Sequence, residues 1–387
     1  MSFSHHPLWL VGFRPFFTLA CLSGILLPLL WALMFAGRID APTAAYTGIQ
    51  WHAHEMFFGF GWAMLGGFLL TASKNWVKIR GYHGASLIFL VTAWCFERFG
   101  MWFGAAWPRP LFLLSNQLYL VSVVAMLLWS LLRHRDADGY RRDNVYFMIL
   151  LPLFPLAKYL LLDGHYGQAG QQMALGLFRL AFLIMLERTL TDFMKGVFKA
   201  EILRHRLLDD AIKTLALALA FSGFLPARAT AGLAALLALL LLIRYPFWQP
   251  RLAFSRLDIG IMHLGYLAIA GQLLVLAFEQ AAQTVWVGSV PTHLFTFGAM
   301  GLIIPAMIVR ISKGHTGRKV SFDALDKAVL WIMMAALALR VLAPQFAPGG
   351  YLLWVDLAAA AWAAAFAILA WRLIPFLFAP RIDGREH

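Results

Sequence analysis

Stretches of about 20 apolar residues recur along the whole chain, and this recurrence limits the possible folds more than any other feature. A helix needs about 20 mostly apolar residues to cross the hydrocarbon core of a bilayer. Of the 387 residues, 61% are apolar and 13% are charged, whereas soluble domains have roughly 45–50% and about 25%. The sequence therefore predicts an all-α polytopic membrane helix bundle that forms a single transmembrane domain over residues 1–387.

Apolar windows separated by helix breakers predict about twelve membrane-spanning helices. They are placed at 15–36, 51–72, 84–103, 110–132, 145–163, 169–190, 210–224, 228–246, 258–278, 289–312, 324–343 and 350–374.

Basic residues concentrate in alternate connections between these spans. The even-numbered connections and the span ends beside them carry Lys74, Lys78, Arg80, Arg133, Arg135, Arg141, Arg142, Arg310, Lys313, Arg318 and Lys319, among others. The odd-numbered connections carry Arg38, Arg109 and Arg228. Because cytoplasmic loops hold an excess of Lys and Arg, we expect both termini in the cytoplasm. This distribution explains the net charge of +13 without a nucleic-acid partner; the basic loops face anionic lipid instead.

The cysteines exclude covalent attachment of haem. Cys21 and Cys95 both lie in apolar segments and form no CxxCH or CxxC motif. Any haem in this chain is expected to be bound non-covalently.

Histidines stand at the ends and in the middle of several predicted spans. His52, His54 and Glu55 begin the second span, and His293 lies near the equivalent outer end of the tenth. His263 lies within the ninth span, where ionisable side chains are rare and usually functional. A single interfacial histidine is most often only a polar cap. Three in one layer favour a metal site, because imidazole is the commonest metal ligand.

The second span also has a stripe of small residues. In a regular helix His52, Glu55, Gly59 and Gly66 share one face, while His54 points roughly 200° away from His52. Such a stripe lets another helix or a flat cofactor approach closely.

A weak internal repeat relates the two histidine-bearing spans. When residues 54–74 are laid over 293–313, five of 21 positions are identical, among them His54 with His293, Gly59 with Gly298 and Lys74 with Lys313. If the repeat is real, we expect His54 and His293 to lie at equivalent depths in the membrane.

Charged residues also lie inside predicted spans. Glu97 and Arg98 fall in the third span and Arg179 in the sixth. They are candidates for proton transfer or for contacts with haem propionates. The simpler interpretation is that they form buried pairs that fix the helix register, since a charge at that depth must find a partner.

Several motifs of the chain together resemble the NnrS family of polytopic membrane proteins. They are GFRPFF at 12–17, WHAHEM at 51–56, GFLLTA at 67–72, HLGY at 263–266 and HLFTFGAMGLIIPAMIVRISKGHTGR at 293–318. The segment MLERTLTDFMKG at 185–196 departs from the glycine-rich stretch that the family has near this point.

The resemblance implies a haem and copper protein of the bacterial inner membrane that acts in nitric oxide metabolism. It implies metal ligands at His52, His54, His263, His293 and His315, a proton-donating role for Glu55, and cofactor contacts from Arg14, Trp51, Arg310 and Arg318. Haem would be of the b type.

The residues and the resemblance together suggest that nitric oxide is bound and reduced to nitrous oxide, in protection against nitrosative stress. His52, His54 and His293 would form an outer metal site, and His263 and His315 an inner ligand set. Two alternatives stay open: a transporter or NO-responsive binder without turnover, and a haem-b protein that oxidises quinol. Whether the chain is an enzyme is left undecided, as is its electron donor.

Overall fold

The computed structural model describes residues 3–42, 46–282 and 285–385. The chain is 82% helical, and the part that the structure describes contains no strand. The predicted all-α class is confirmed. Helices satisfy every backbone hydrogen bond within one segment, which a bilayer without water demands.

Twelve helices of more than ten residues follow one another in the described ranges, numbered here in chain order. They are α1 (Phe13–Phe35), α2 (Gly48–Trp76), α3 (Ala85–Phe103), α4 (Arg109–Arg133), α5 (Arg141–Leu161), α6 (Gly167–Phe193), α7 (Arg206–Leu219), α8 (Ala227–Arg244), α9 (Leu257–Ala282), α10 (Val290–Gly314), α11 (Ala324–Phe346) and α12 (Tyr351–Phe378). Within α2 and α10, the segments Glu55–Gly61 and Leu294–Met300 are π-helical.

Among the described residues, ten helices are long and apolar enough to cross a membrane. The chain is therefore a multi-pass membrane protein. α6 and α7 are not among the ten: α7 has 14 residues, fewer than the roughly 20 of a span. α6 contains the buried charged residues Arg179, Glu187 and Arg188. The count of twelve spans stays a prediction, as does the cytoplasmic location of the termini.

The chain divides into two compact units. Unit 1 contains residues 1–170, 308–321 and 366–387, and unit 2 contains residues 171–307 and 322–365. The single transmembrane domain over residues 1–387 stays a prediction.

Glycines allow close helix packing inside each unit. In unit 1, a Cβ added at Gly67 of α2 would lie 2.6 Å from the Cβ of Phe16 on α1. In unit 2, one added at Gly265 of α9 would lie 2.5 Å from Cγ1 of Ile303 on α10. Because lipid tails are as apolar as the side chains, close packing rather than the hydrophobic effect holds membrane helices together.

The local backbone supports the internal repeat. His54 and His293 are each followed at once by a seven-residue π-helix. The α-helix then resumes at Trp62 and at Gly301, and the next helix of each copy begins at Ala85 and at Ala324. Each pair keeps the register of the sequence alignment.

The turns that follow the two histidine-bearing helices also agree. Lys78 and Gly317, at equivalent positions, both have positive φ, 53° and 81°. The equivalent backbone bonds run from the N–H of Ile79 to the carbonyl of Lys74 and from the N–H of Arg318 to the carbonyl of Lys313, both 2.9 Å. Shared π-helices and shared turns make chance an unsatisfactory explanation of the sequence match.

The predicted orientation can be tested with a pair of single cysteines. A Cβ added at Gly139 or at Gly164 would meet no atom within 4 Å, so Gly139→Cys and Gly164→Cys should fold normally. After Cys21 and Cys95 are replaced by alanine, a membrane-impermeant maleimide should label Gly164→Cys in intact cells. It should label Gly139→Cys only after the cytoplasmic side is opened. The reverse pattern would contradict the orientation, and the cysteine-free chain serves as the control.

Candidate functional site

His54 brings three helices of unit 1 together. It is fully buried. Its Nδ1 lies 3.1 Å from Oε1 of Glu55, the first residue of the π-helix of α2. Its Nε2 lies 3.3 Å from Oε1 of Glu97 on α3 and 2.9 Å from Nδ2 of Asn116 on α4. Both nitrogens of the imidazole therefore face polar groups of the protein.

Arg98 and Lys158 supply the positive charge around the two carboxylates. Arg98 places Nη2 2.6 Å from Oε1 of Glu97 and Nε 3.1 Å from Oε2 of Glu55. Lys158, on α5, forms an ion pair with Glu97 and donates to the backbone carbonyl of Asn116. We call His54, Glu55, Glu97, Arg98, Asn116 and Lys158 the ion network.

The ion network is balanced in charge, with two carboxylates and two cations around one imidazole. His54, Glu97 and Lys158 have no solvent exposure, and Glu55 is 2% exposed. Such burial is tolerable only because each charge has an opposite charge beside it. Carboxylate and imidazole groups within hydrogen-bond reach can hold a proton and transfer it between them. The ion network thus suits short-range proton transfer inside the membrane.

Gly59 makes room for this arrangement. A Cβ at Gly59 would lie 2.4 Å from Nη1 of Arg98 and 3.2 Å from Oε2 of Glu55. The predicted stripe of small residues therefore lets side chains of other helices pack closely against α2. At Gly66, likewise, an added Cβ would lie 2.7 Å from the hydroxyl oxygen of Tyr119. Side chains of neighbouring helices, rather than their backbones, fill the stripe.

His52 and Trp51 lie apart from the ion network. The His52 ring stacks on Trp31 of α1 with centroids 4.4 Å apart, and Trp51 packs edge to face on Trp102 at 5.8 Å. In a regular helix Glu55 would be grouped with His52, but in the structure its carboxylate contacts His54. The backbone at His54 and Glu55 is still right-handed helical, so the two adjacent side chains reach each other by their own directions.

His263, on α9 of unit 2, is buried without hydrogen bonds. Its exposure is 0%, and neither ring nitrogen has a partner among the described residues. The rings of Tyr245 and Phe254 lie beside it, with centroids at 5.8 and 6.1 Å. A buried polar atom without a partner costs about 1–3 kcal/mol. A neutral imidazole in this state can offer a nitrogen lone pair to iron or copper.

Tyr245 adds a second unpartnered group at the same place. Its hydroxyl oxygen is buried and has no hydrogen-bond partner within the described part of the chain. Its ring stacks on Tyr266 at 5.8 Å, whose own hydroxyl donates to the carbonyl of Leu241 at 2.7 Å. We call His263 and Tyr245 the His263 site. Unpartnered polar atoms on neighbouring side chains fit a bound cofactor better than they fit a structural core.

His293 is held by protein groups at both ring nitrogens. Nδ1 lies 2.9 Å from the carbonyl oxygen of Ser289, and Nε2 lies 3.2 Å from Nη2 of Arg340. A guanidinium only donates hydrogen bonds, so Nε2 must be the acceptor and Nδ1 must carry the proton. The nitrogen that would ligate a metal already accepts from a cation, and His293 therefore fits a metal less well than His263 does.

His315 lies just beyond α10, beside cationic side chains of unit 1. Burial, together with Lys74, Arg381 and Arg14, lowers the pKa of His315 to about 4. Its ring packs on Phe13 with centroids 5.4 Å apart. The imidazole is neutral at pH 7, but its cationic neighbours oppose the binding of a metal cation.

The predicted cofactor-binding arginines are all in unit 1. Arg14 has no solvent exposure and Arg310 is 8% exposed. The guanidinium carbon of Arg318 lies 3.9 Å from the centroid of the Phe376 ring. Arg14 and Arg318 therefore belong to the same cationic region as His315.

No group of three or more His, Cys, Asp or Glu side chains that could hold a metal ion occurs among the residues described. The ligand set of His52, His54, His293, His263 and His315 stays a prediction, as do the roles of Glu55 and the arginines.

Unit 2 has a buried ion cluster that the sequence does not reveal. Glu187 accepts from Lys213 and from Arg244, both at 3.2 Å, and also pairs with Arg204. Arg244 further contacts Asp209 at 3.3 Å. Glu187 belongs to the segment 185–196 that departs from the family pattern, and here it ties α6, α7 and α8 together.

Arg179 differs from the other intramembrane charges. Its Nη1 donates to Oε1 of Gln272 at 3.1 Å, and within the described ranges no carboxylate pairs with it. The prediction of a buried pair holds for Glu97 and Arg98 and is wrong for Arg179.

Comparison with known proteins identifies the family of the chain. The model of the family described as NnrS protein matches residues 7–381, which is nearly the whole length. The chain belongs to the NnrS family. Membership indicates a membrane protein related to nitric oxide. A search of curated proteins finds no match.

The charge balance of the ion network predicts a strong dependence on Lys158 in this NnrS protein. Lys158→Met leaves Glu97 with one fewer cation in a water-free site, and removing one partner of a buried pair costs about 3–5 kcal/mol. We expect a large loss of thermal stability in detergent. Lys158→Met combined with Glu97→Gln should recover much of it. Equal instability of the double variant would contradict the pairing.

Gly59→Ala tests the packing of the ion network without removing a charge. The added methyl must displace the Arg98 guanidinium, so we expect lower thermal stability. Gly232→Ala on α8 is the matched control, because a Cβ there meets no atom within 4 Å. In a helix that change should be neutral or favourable by up to about 1 kcal/mol. Equal stability of both variants would show that Arg98 does not depend on Gly59.

Proposed function

We propose that this NnrS-family protein binds haem b non-covalently and uses it to bind nitric oxide and reduce it to nitrous oxide. The proposal places it in the bacterial inner membrane, in protection against nitrosative stress. Nitric oxide is small, uncharged and soluble in lipid, so a membrane-embedded site is accessible to it without a polar channel.

One observation carries the proposal: His263 is fully buried, with two ring nitrogens that have no partner among the described residues. An imidazole at this depth loses its hydrogen bonds to water and gains none from the protein. A bound iron would satisfy one nitrogen. The buried Tyr245 hydroxyl beside it would satisfy a polar atom of the cofactor or of its ligand.

Bound haem would supply an iron that takes up nitric oxide and changes oxidation state by one electron. His263 would supply a nitrogen ligand to the iron, and the aromatic rings of Tyr245 and Phe254 would line the site beside it. This apolar lining would exclude water and favour a neutral ligand over charged anions.

Reduction also needs protons and electrons. Two nitric oxide molecules, two electrons and two protons give one nitrous oxide and one water. The ion network is the group of residues best suited to store a proton within the membrane, and Glu55 is its proposed donor. Electrons would come from a quinol or another membrane donor.

Copper fits the predicted outer residues less well. To ligate a metal, His54 would exchange its contacts with Glu97 and Asn116, and His293 would lose the hydrogen bond from Arg340. We keep copper as an expectation from the family and derive no step from it.

The proposal predicts that His263→Ala abolishes the haem spectrum. Protein expressed with haem and purified in detergent should show a Soret band that shifts when nitric oxide is added to the reduced form. His263→Ala should lack the band while it elutes as a monodisperse species. An unchanged spectrum and iron content in the variant would refute the assignment.

His134→Ala is the matched control. His134 is the residue that follows the last turn of α4, and its ring has no contact among the described residues. Consumption of nitric oxide in the presence of a reductant then separates an enzyme from a binder. A band that shifts without consumption would favour the non-enzymatic alternative.

A further inference from the structure

Five basic side chains gather at one end of unit 1, where four segments of the chain meet. They come from the first turn of α1, the end of α2, the turn after α10 and the C-terminal segment. We call Arg14, Lys74, His315, Arg318 and Arg381 the basic cluster. The nitric oxide chemistry proposed above does not require it.

The C-terminal segment is fastened to the basic cluster by backbone contacts. Arg14 donates through Nη1 to the carbonyls of Leu377 and Ala379, at 2.8 and 2.7 Å. Arg381 donates through Nη1 to the carbonyl of His315 at 3.1 Å. The N–H of Ile382 donates to the carbonyl of Thr316 at 3.1 Å. These bonds hold Arg14 and Arg381 in place and anchor the C-terminal segment beside His315 and Thr316.

Lys74 belongs to this end of the unit as well. Thr71, one helical turn before it, accepts from the backbone N–H of Phe13 at 2.8 Å. The lysine stem packs under Gly81, whose added Cβ would lie 3.0 Å from that of Lys74. Lys74 and Arg381 are both close enough to His315 to lower the pKa of its ring.

The positive charge in the basic cluster is not balanced by the protein. Asp383 pairs with Arg381, through Nε at 2.8 Å. Lys74 and Arg318 have no acidic partner within the described ranges, although Lys74 is only 8% exposed. Nη1 of Arg318 is also buried without a hydrogen-bond partner in that part of the chain. A cation buried to this extent without an anion is unfavourable.

We propose that the basic cluster binds a phosphate group, supplied by the headgroup of an anionic phospholipid or by a soluble phosphate ester. The planar fork of Arg318 can donate two parallel bonds to phosphate oxygens, and Lys74 adds a point charge. In the predicted orientation the cluster is on the cytoplasmic side, where anionic lipid is concentrated. A bound phosphate supplies the missing negative charge and joins the C-terminal segment to α2.

The test uses the full-length protein purified in detergent. Native mass spectrometry measures retention of phosphatidylglycerol against phosphatidylethanolamine. A second arm measures thermal stability in inorganic phosphate against chloride at equal ionic strength. Wild type should retain phosphatidylglycerol preferentially if the source is a lipid, or be stabilised by inorganic phosphate if it is soluble. Either result supports the proposal, and the absence of both overturns it.

Lys74→Gln combined with Arg318→Gln should weaken the binding of phosphatidylglycerol or of inorganic phosphate about 30-fold. Each of the two residues is expected to contribute the attraction of one positive charge to the anion. If the double variant does not fold, each single change should weaken binding about fivefold. Lys74→Arg keeps the positive charge and should retain the binding seen in wild type. Arg135→Gln removes an exposed charge from a loop on the same predicted side and should change nothing. Unchanged retention in the Lys74 and Arg318 variants, or loss of haem in place of lipid, would overturn the assignment.

Discussion

A bilayer offers no water to a buried charge, and the arrangement of unit 1 depends on this constraint. Glu55 and Glu97 are tolerable at their depth only because Arg98 and Lys158 lie against them. The other local features follow from that requirement. Gly59 lacks a side chain because the Arg98 guanidinium occupies the space. The Glu55 carboxylate lies between Nδ1 of His54 and Nε of Arg98, 3.1 Å from each.

The absence of water in the bilayer also bears on the buried polar groups that have no partner among the described residues. In a site closed to water, a polar atom without a partner is costly and calls for an explanation such as a bound ion, water or cofactor. His263 and Tyr245 violate the rule as neutral groups, and the basic cluster violates it as a set of cations. The two kinds of violation point to different ligands. Neutral nitrogen and hydroxyl groups suit a cofactor metal and its polar atoms, whereas unbalanced cations suit an anion.

The sequence predicts the helices, which depend on one segment each, and misses the side-chain contacts that depend on how different helices pack. Helices occur at all twelve predicted positions, because long apolar runs can form little else. His263 is buried as expected of a histidine inside a span. No pattern in the sequence relates Lys158 and Asn116 to His54, because they lie on other helices and no spacing rule connects them. Nothing in the sequence indicates Tyr245 as a site residue, since a tyrosine near the end of a span is an ordinary interfacial residue.

The internal repeat shows how one backbone motif can carry two different chemistries. His54 and His293 begin equivalent π-helices, yet Glu97 and Asn116 lie against the first and Arg340 against the second. Nδ1 of His54 faces the carboxylate of Glu55, whereas Nε2 lies beside both a donor, Nδ2 of Asn116, and an acceptor, Oε1 of Glu97. Arg340 only donates, which fixes a lone pair on Nε2 of His293. The two copies therefore differ in the groups that face the imidazole: two carboxylates lie beside His54, and a carbonyl oxygen and a guanidinium lie beside His293. That difference favours the ion network around His54, rather than the His293 end of unit 2, as the source of protons.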